Sequence, residues 1–200
     1  MNSADLFRVT FAESDGPLLT TAARNTISEF LETGRREIQP ALGSDPRFKQ
    51  KLGCFVTLKE KDLGKSLRGC IGYPDPVFEL SRALTNASIE AATGDPRFPP
   101  VKKSELSRLL VEVSVIAQPV QIEVNNPTEL PSRIDVGKDG LIMRWSYGSG
   151  LLLPQVASEF NWEAEEFLCN LCMKAGAPPD QWLVPGTAIY KFRALVFEEN

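Results

Sequence analysis

Histidine is absent from this chain of 200 residues. Its absence removes the side chain whose charge changes nearest neutral pH, which is also the commonest general base and metal ligand. No Ser–His–Asp, Cys–His or HExxH site can therefore form within the chain. An enzyme built on it would work with carboxylates, lysine, tyrosine, cysteine or a group lent by a partner. Long apolar runs are missing too. Nothing approaches the roughly 18 residues that a membrane span needs, and the opening MNSADLFRVTF shows no basic region leading into an apolar segment. We expect a cytoplasmic protein with no membrane contact. Positive charge is scarce as well: 22 Lys and Arg stand against 26 Asp and Glu, a net charge of -4. Affinity for phosphate backbones comes from clustered cations that release counterions, so non-specific nucleic-acid binding is not expected. No glycine-rich phosphate loop is present, and no motif implies a cofactor or a metal.

What is present is an ordinary globular balance, 42% hydrophobic and 24% charged, enough for one large domain or two small ones sharing an interface. From Leu19, the residues Leu19, Ala22, Ala23, Ile27, Phe30 and Leu31 recur at helical spacing before Gly34. A second helix is predicted from Asp75 as N-cap and Pro76 in the first turn, through Val77, Leu80, Ala83, Leu84, Ala87 and Ala91 to Gly94. A third is predicted over Asn161 to Ala175. Strand signals lie in CFVTLK, LLVEVSVIA, VQIEV, LIMRW, LLL and AIYKFRALVF, separated by turns such as KDG and GSG. Interspersed strands and helices with short turns predict an α+β fold, with antiparallel or mixed sheets and helices packed on one face.

The stretch LRGCIGY, Leu67 to Tyr73, is the unusual one. Glycine inside a strand packs nothing and marks a bulge, a bend or a close approach to the backbone. Alternation places Arg68, Cys70 and Gly72 on one face. The strand before it, from Cys54, forms a hairpin with it through a loop containing Asp62 and Gly64. Matching apolar to apolar gathers Phe55, Thr57, Arg68 and Cys70 on one side and leaves Cys54 on the other. A Cys54–Cys70 disulfide or a four-cysteine zinc site would require that pairing to slip by one residue. Cys169 and Cys172 are read as packed helix thiols. Two readings of Cys70 remain. A guanidinium beside the thiol would lower its pKa, with backbone N–H groups of Gly69 and Gly72 open to an anion or peptide; or Cys70 fills a small space under a helix and the glycines permit close packing.

One tetrapeptide occurs twice, as Asp45-Pro46-Arg47-Phe48 and Asp95-Pro96-Arg97-Phe98. It reads as two Asx–Pro turns or as the relic of a duplication.

The ordered series GCFVTL, LRGCIGY, DPRFPPV with SELSRLLVEVSV, KDGLIM, and GLLLPQVA with KAG behind it resembles the AMMECR family, named from a human chromosomal region linked to Alport syndrome, midface hypoplasia and elliptocytosis. The resemblance covers nearly the whole chain. It implies one AMMECR domain over residues 1–200, built of two abutting two-layer α/β sandwich subdomains. The larger would be discontinuous, holding the N-terminal helix and C-terminal strand; the smaller would be inserted, with the LRGCIG motif near the cleft between them. It implies no settled activity.

Three functions follow. The first is a binding module whose cleft, lined by Thr57, Arg68, Gly69, Cys70, Gly72, Arg97 and Gln155, takes a small molecule, a peptide or a partner protein by capturing a carboxylate or phosphate. Arg97 and Gln155 enter from the family-like motifs; their structural readings are a tied loop and a helix cap. The second is an enzyme or enzyme subunit using Cys70 with Arg68, in a modification pathway that the resemblance associates with Memo-type and radical S-adenosylmethionine partners. The third is a regulatory factor of transcription, replication or translation, which the acidic balance disfavours.

Overall fold

The computed structural model describes residues 11–62 and 64–199. The first ten residues, read above for a leader, lie outside them. The described chain divides into two compact units, one running up to Ile116 and resuming at Leu195, the other spanning Ala117 to Ala194. Among the described residues no helix is long and apolar enough to cross a membrane.

The larger unit opens with α1 (Gly16–Thr33), whose Leu19, Ala23 and Ile27 are fully buried. Gly34 ends it in the left-handed conformation at φ 72, where a side chain would be strained. A short α2 (Pro40–Ser44) leads to the hairpin β1 (Gly53–Glu60) and β2 (Ser66–Tyr73), then α3 (Leu80–Thr93) and β3 (Leu109–Ile116). The chain end returns as β8 (Ala194–Glu198), completing a sheet of order β2-β1-β3-β8. β1 pairs antiparallel with both β2 and β3. One sheet face, carrying Cys54, Val56, Leu58, Val111, Val113 and Val115, joins Leu19, Ile27, Leu80, Leu84 and Ala87 of α1 and α3 in a single core. This is a two-layer arrangement, dictated by a valine at every second position of β3.

In the smaller unit β4 (Val120–Gln121), β5 (Gly140–Trp145), β6 (Gly148–Leu152) and β7 (Ala188–Phe192) form a sheet of order β4-β7-β5-β6. Its core sets Leu141, Met143 and Ile189 against Phe167, Leu168, Leu171 and Cys172 of α5 (Ala164–Lys174), with Ala157 of α4 (Pro154–Glu159). Cys172 is fully buried and Cys169 packs at the edge of the same core. The overall class is α+β, with two four-stranded sheets and helices packed against them.

Five local expectations are corrected. The GSG run opens β6, and the turn before it falls at Ser146 and Tyr147. α3 starts at Leu80 rather than near Asp75. Val77 N–H donates to the Asp75 carbonyl at 2.8 Å in a tight turn, and Leu80 N–H to that of Gln50 at 2.8 Å, which keeps the segment out of the helix as far as Glu79, the N-cap position. α5 starts at Ala164 rather than Asn161, because Asn161 sits at φ 54 and Glu163 is the N-cap. The run VQIEV yields only a two-residue strand. The apolar run AIYKFRALVF is one signal feeding two sheets: it breaks at Arg193, whose Nε lies 2.9 Å from Oδ1 of the fully buried Asp139.

Candidate functional site

β2 is an edge strand, so its outward backbone groups need partners. At Cys70 both are supplied. The N–H donates to Oδ2 of Asp95 at 2.9 Å and the carbonyl accepts from Nη2 of Arg97 at 3.3 Å. Since the N–H and C=O of one antiparallel residue point the same way, Cys70 turns neither toward β1. Its cross-strand pair with Thr57 is therefore the non-hydrogen-bonded kind, in which side chains come closest. Thr57 Oγ1 accordingly lies 3.3 Å from Cys70 Sγ.

The register sets Thr57 opposite Cys70 and Leu58 opposite Gly69, then slips, so that Lys59 faces Leu67. Arg68 is the extra residue of a bulge, and the alternation that would align it with Cys70 is broken there. Arg68 instead lies 3.4 Å from Glu105 Oε1 and 5.9 Å from the Phe98 ring centroid, and only 8% of it is exposed. The cation at Cys70 is Arg97. Burial pushes the Cys70 thiol above its ordinary range; the Thr57 hydroxyl and the Arg97 charge act downward, and Glu112 and Asp95 act upward. The expectation of a lowered pKa imposed by Arg68 gives way to this: desolvation outweighs the neighbouring cation.

The glycines have internal explanations. A Cβ on Gly69 would stand inside 3.0 Å of the Ala91 carbonyl in α3, and one on Gly72 inside 3.0 Å of the Phe55 ring and the Cys54 carbonyl. What approaches the strand is the protein's own helix and ring.

Asp95 is 5% exposed and its carboxylate binds Cys70 N–H, Arg97 N–H and the Arg97 guanidinium, with Nε at 2.9 Å and Nη2 at 2.6 Å. These bonds hold its pKa well below the usual carboxylate range. Arg97 Cζ lies 5.5 Å from the Phe98 centroid, so two guanidiniums, Arg97 and Arg68, attend one ring.

Beyond Thr57 the same sheet face continues into groups that the sequence reading did not select. Glu112 is cross-strand to Thr57 and 7% exposed. Lys59 Nζ reaches Glu112 at 2.6 Å and Glu198 at 3.0 Å, and Lys65 also pairs with Glu198. The signal was present as a lone glutamate inside LLVEVSVI, on the face opposite the valines. Cys54 lies on that valine face, buried, with its thiol pushed up by desolvation. Gln155 belongs to the smaller unit, half-buried in the first turn of α4.

A groove of about 630 Å³ runs between α1 and β8, lined by Thr20, Arg24, Lys61 and Glu199 among others; Thr57, Arg68, Cys70 and Arg97 take no part in it. Among the described residues no group of three or more Cys, Asp or Glu is placed to hold a metal ion.

The family model AMMECR1 matches residues 20–197. This chain belongs to the AMMECR1 family. AMMECR1 relatives include a protein of Methanothermobacter thermautotrophicus, 50% identical over 189 residues, covering 94% of this chain and 96% of the relative. A Pyrococcus furiosus protein is 50% identical over 187 residues, covering 92% and 88% respectively. Among solved AMMECR1-like structures, the crystal structure of an uncharacterized Pyrococcus horikoshii protein, PH0010, matches with a TM-score of 0.90 at 47% identity, covering 96% of this chain and 95% of that one.

Proposed function

We propose that this chain is a binding module, which takes an anionic small molecule, peptide or partner protein at the surface formed by Arg68, Cys70, Arg97 and Phe98, with Thr57 behind them. The observation that carries this reading is the placement of the Arg68 and Arg97 guanidiniums on one Phe98 ring, and the burial of Cys70 agrees with it. A thiol that burial keeps protonated makes contacts and fills space, whereas a nucleophile needs the thiolate. The two guanidiniums on Phe98 supply the charge for capture. Gly69 and Gly72 serve this reading by letting α3 and Phe55 close on β2, and Gln155 has no assigned part in it.

Iodoacetamide alkylation of the folded protein across pH, with C70S as the blank for the other thiols, tests the reading. Alkylation at Cys70 should stay slow until the pH passes the ordinary thiol range. An apparent pKa below about 8.5 would transfer support to catalysis.

One observation favours that second reading. Glu112 and Lys59 occupy the same face as Cys70 and Thr57, so a carboxylate and an amine stand where a histidine-free thiol enzyme needs its proton carriers. Partners of the Memo or radical S-adenosylmethionine type would belong to that reading.

A further inference from the structure

The two copies of Asp-Pro-Arg-Phe fold into the same clamp. In the first, Arg47 N–H donates to Asp45 Oδ1 at 2.9 Å, its Nε reaches Oδ1 and Oδ2 at 3.2 and 3.0 Å, and its Nη2 reaches Oδ2 at 2.7 Å. In the second, Arg97 N–H donates to Asp95 Oδ1 at 3.1 Å, with Nε and Nη2 on the same carboxylate at 2.9 and 2.6 Å. Phe48 N–H returns to the Asp45 carbonyl at 3.1 Å and Phe98 N–H to that of Asp95 at 3.2 Å. Each guanidinium lies over a phenylalanine, Phe11 at 5.2 Å and Phe98 at 5.5 Å.

Besides the bonds that only the second copy makes to the backbone of Cys70, the copies differ at the Nη1 corner. Arg47 Nη1 holds both oxygens of a second carboxylate, Asp15, at 2.9 and 3.0 Å. Arg97 Nη1 makes no such bond among the described residues, and half of the Arg97 side chain is exposed, 50% against 35% for Arg47. Because Nε and Nη2 are locked to Asp95, Nη1 points in a fixed direction and little rotamer freedom remains to be lost on binding. An independent observation lies across the ring. Arg68 is 8% exposed, yet its five donors find only Glu105, at 3.4 Å, among the described residues. It shares the Phe98 ring with Arg97, so a second guanidinium charge stands beside that corner.

We propose that Arg97 Nη1 is a carboxylate-binding corner, the counterpart of the corner that Asp15 fills on Arg47, with Arg68 providing the second positive charge. This rests on the binding reading above and names its ligand class: an organic carboxylate, either a small acid or the free C-terminus of a peptide. The charge of Asp95 is no obstacle, since Arg47 holds two carboxylates at once with no second cation at its ring among the described residues.

The test is a nuclear magnetic resonance titration of the full chain that follows the Arg97 Nε–Hε signal and the Cys70 amide. The probes are glutarate, hexaglycine, hexaglycine amide and inorganic phosphate at constant ionic strength. Glutarate or hexaglycine should shift both signals saturably, the amidated peptide should not, and R97K, read at the Cys70 amide alone, should weaken the response at least tenfold, because lysine cannot present a fixed planar fork. R68M, read at both signals, should weaken it, and a carboxylate response that R68M leaves intact removes Arg68 from the site. Saturation by glutarate alone points to a small acid, and saturation by hexaglycine but not its amide points to a peptide terminus. Saturation by phosphate with silence from both carboxylates overturns the carboxylate assignment and leaves anion binding standing. Silence from every probe overturns both. A carboxylate response that R97K leaves intact overturns the role of Arg97.

Discussion

Thr57 Oγ1 stands 3.3 Å from Cys70 Sγ across the β1–β2 pair. A hydroxyl in that place can donate to a thiolate, so it stabilises the ionised form while burial opposes it. T57V removes the donor and keeps the shape. Its Cys70 should alkylate roughly five- to tenfold more slowly at pH 9, the effect of losing one hydrogen bond of about 1 kcal/mol. Equal rates in T57V and the parent would show that the hydroxyl does not donate to sulfur. The sign for stability follows from the raised pKa. The folded state holds the proton more tightly than the unfolded one, so the contribution of Cys70 is complete below the ordinary thiol pKa and is lost as pH rises through the folded value.

The carbonyl of Ala91 occupies the place where a side chain on Gly69 would go. G69A must push α3 from the sheet or bend β2, and should cost about 1–3 kcal/mol in urea unfolding, the usual range for overpacking a core. A loss below about 0.5 kcal/mol would mean that the close approach is relaxed in solution.

Asp95 ties Cys70 N–H and Arg97 together, and its pKa is held down by those bonds. The stabilisation is present above the ordinary aspartate pKa and is lost as pH falls through the lower folded value. D95N should therefore destabilise the chain near pH 7 by about 1.5–3 kcal/mol, typical of a hydrogen bond to a charged group, and should unfold with a shallower acid limb. Parallel acid limbs for the two proteins would remove Asp95 from the account.

Much of the larger unit is legible in sequence because period-2 and period-3.6 patterns are enforced by one shared core: the valines of β3 and the apolar face of α1 can be read directly. The boundaries of α3 and α5 were missed where tertiary bonds overrode local propensity, at Gln50–Leu80 and at the left-handed Asn161. At the site, the Thr57–Cys70 pair follows from alternation alone. Arg68 does not, because a bulge adds one residue that no pattern announces. Glu112 and Lys59 were visible only as polar exceptions in strands, and their pairing across 53 positions of chain emerges from register.

Lys59 lies between Glu112 and Glu198. Burial acts to lower its pKa, but the hydrogen bonds it donates to the two carboxylates outweigh this and raise it. Its stabilisation is present below the ordinary lysine pKa and is lost as pH climbs through the higher folded value. A cycle of K59M, E112Q and the double variant should give a coupling of about 0.5–3 kcal/mol, with K59M the worse single change because it leaves two carboxylates facing one another. A coupling near zero would reduce the pair to a surface contact.

The way Asp95 and Arg97 engage the backbone of Cys70 has a bearing on solubility. An exposed sheet edge is a template on which another chain can extend, and fibrillar assembly begins from such edges. Here the loop after α3 caps the middle of β2 with a side-chain acceptor and a side-chain donor, so an incoming strand meets a carboxylate and a guanidinium instead of a free ladder. The same two residues that prepare a binding corner also keep this edge from seeding self-association.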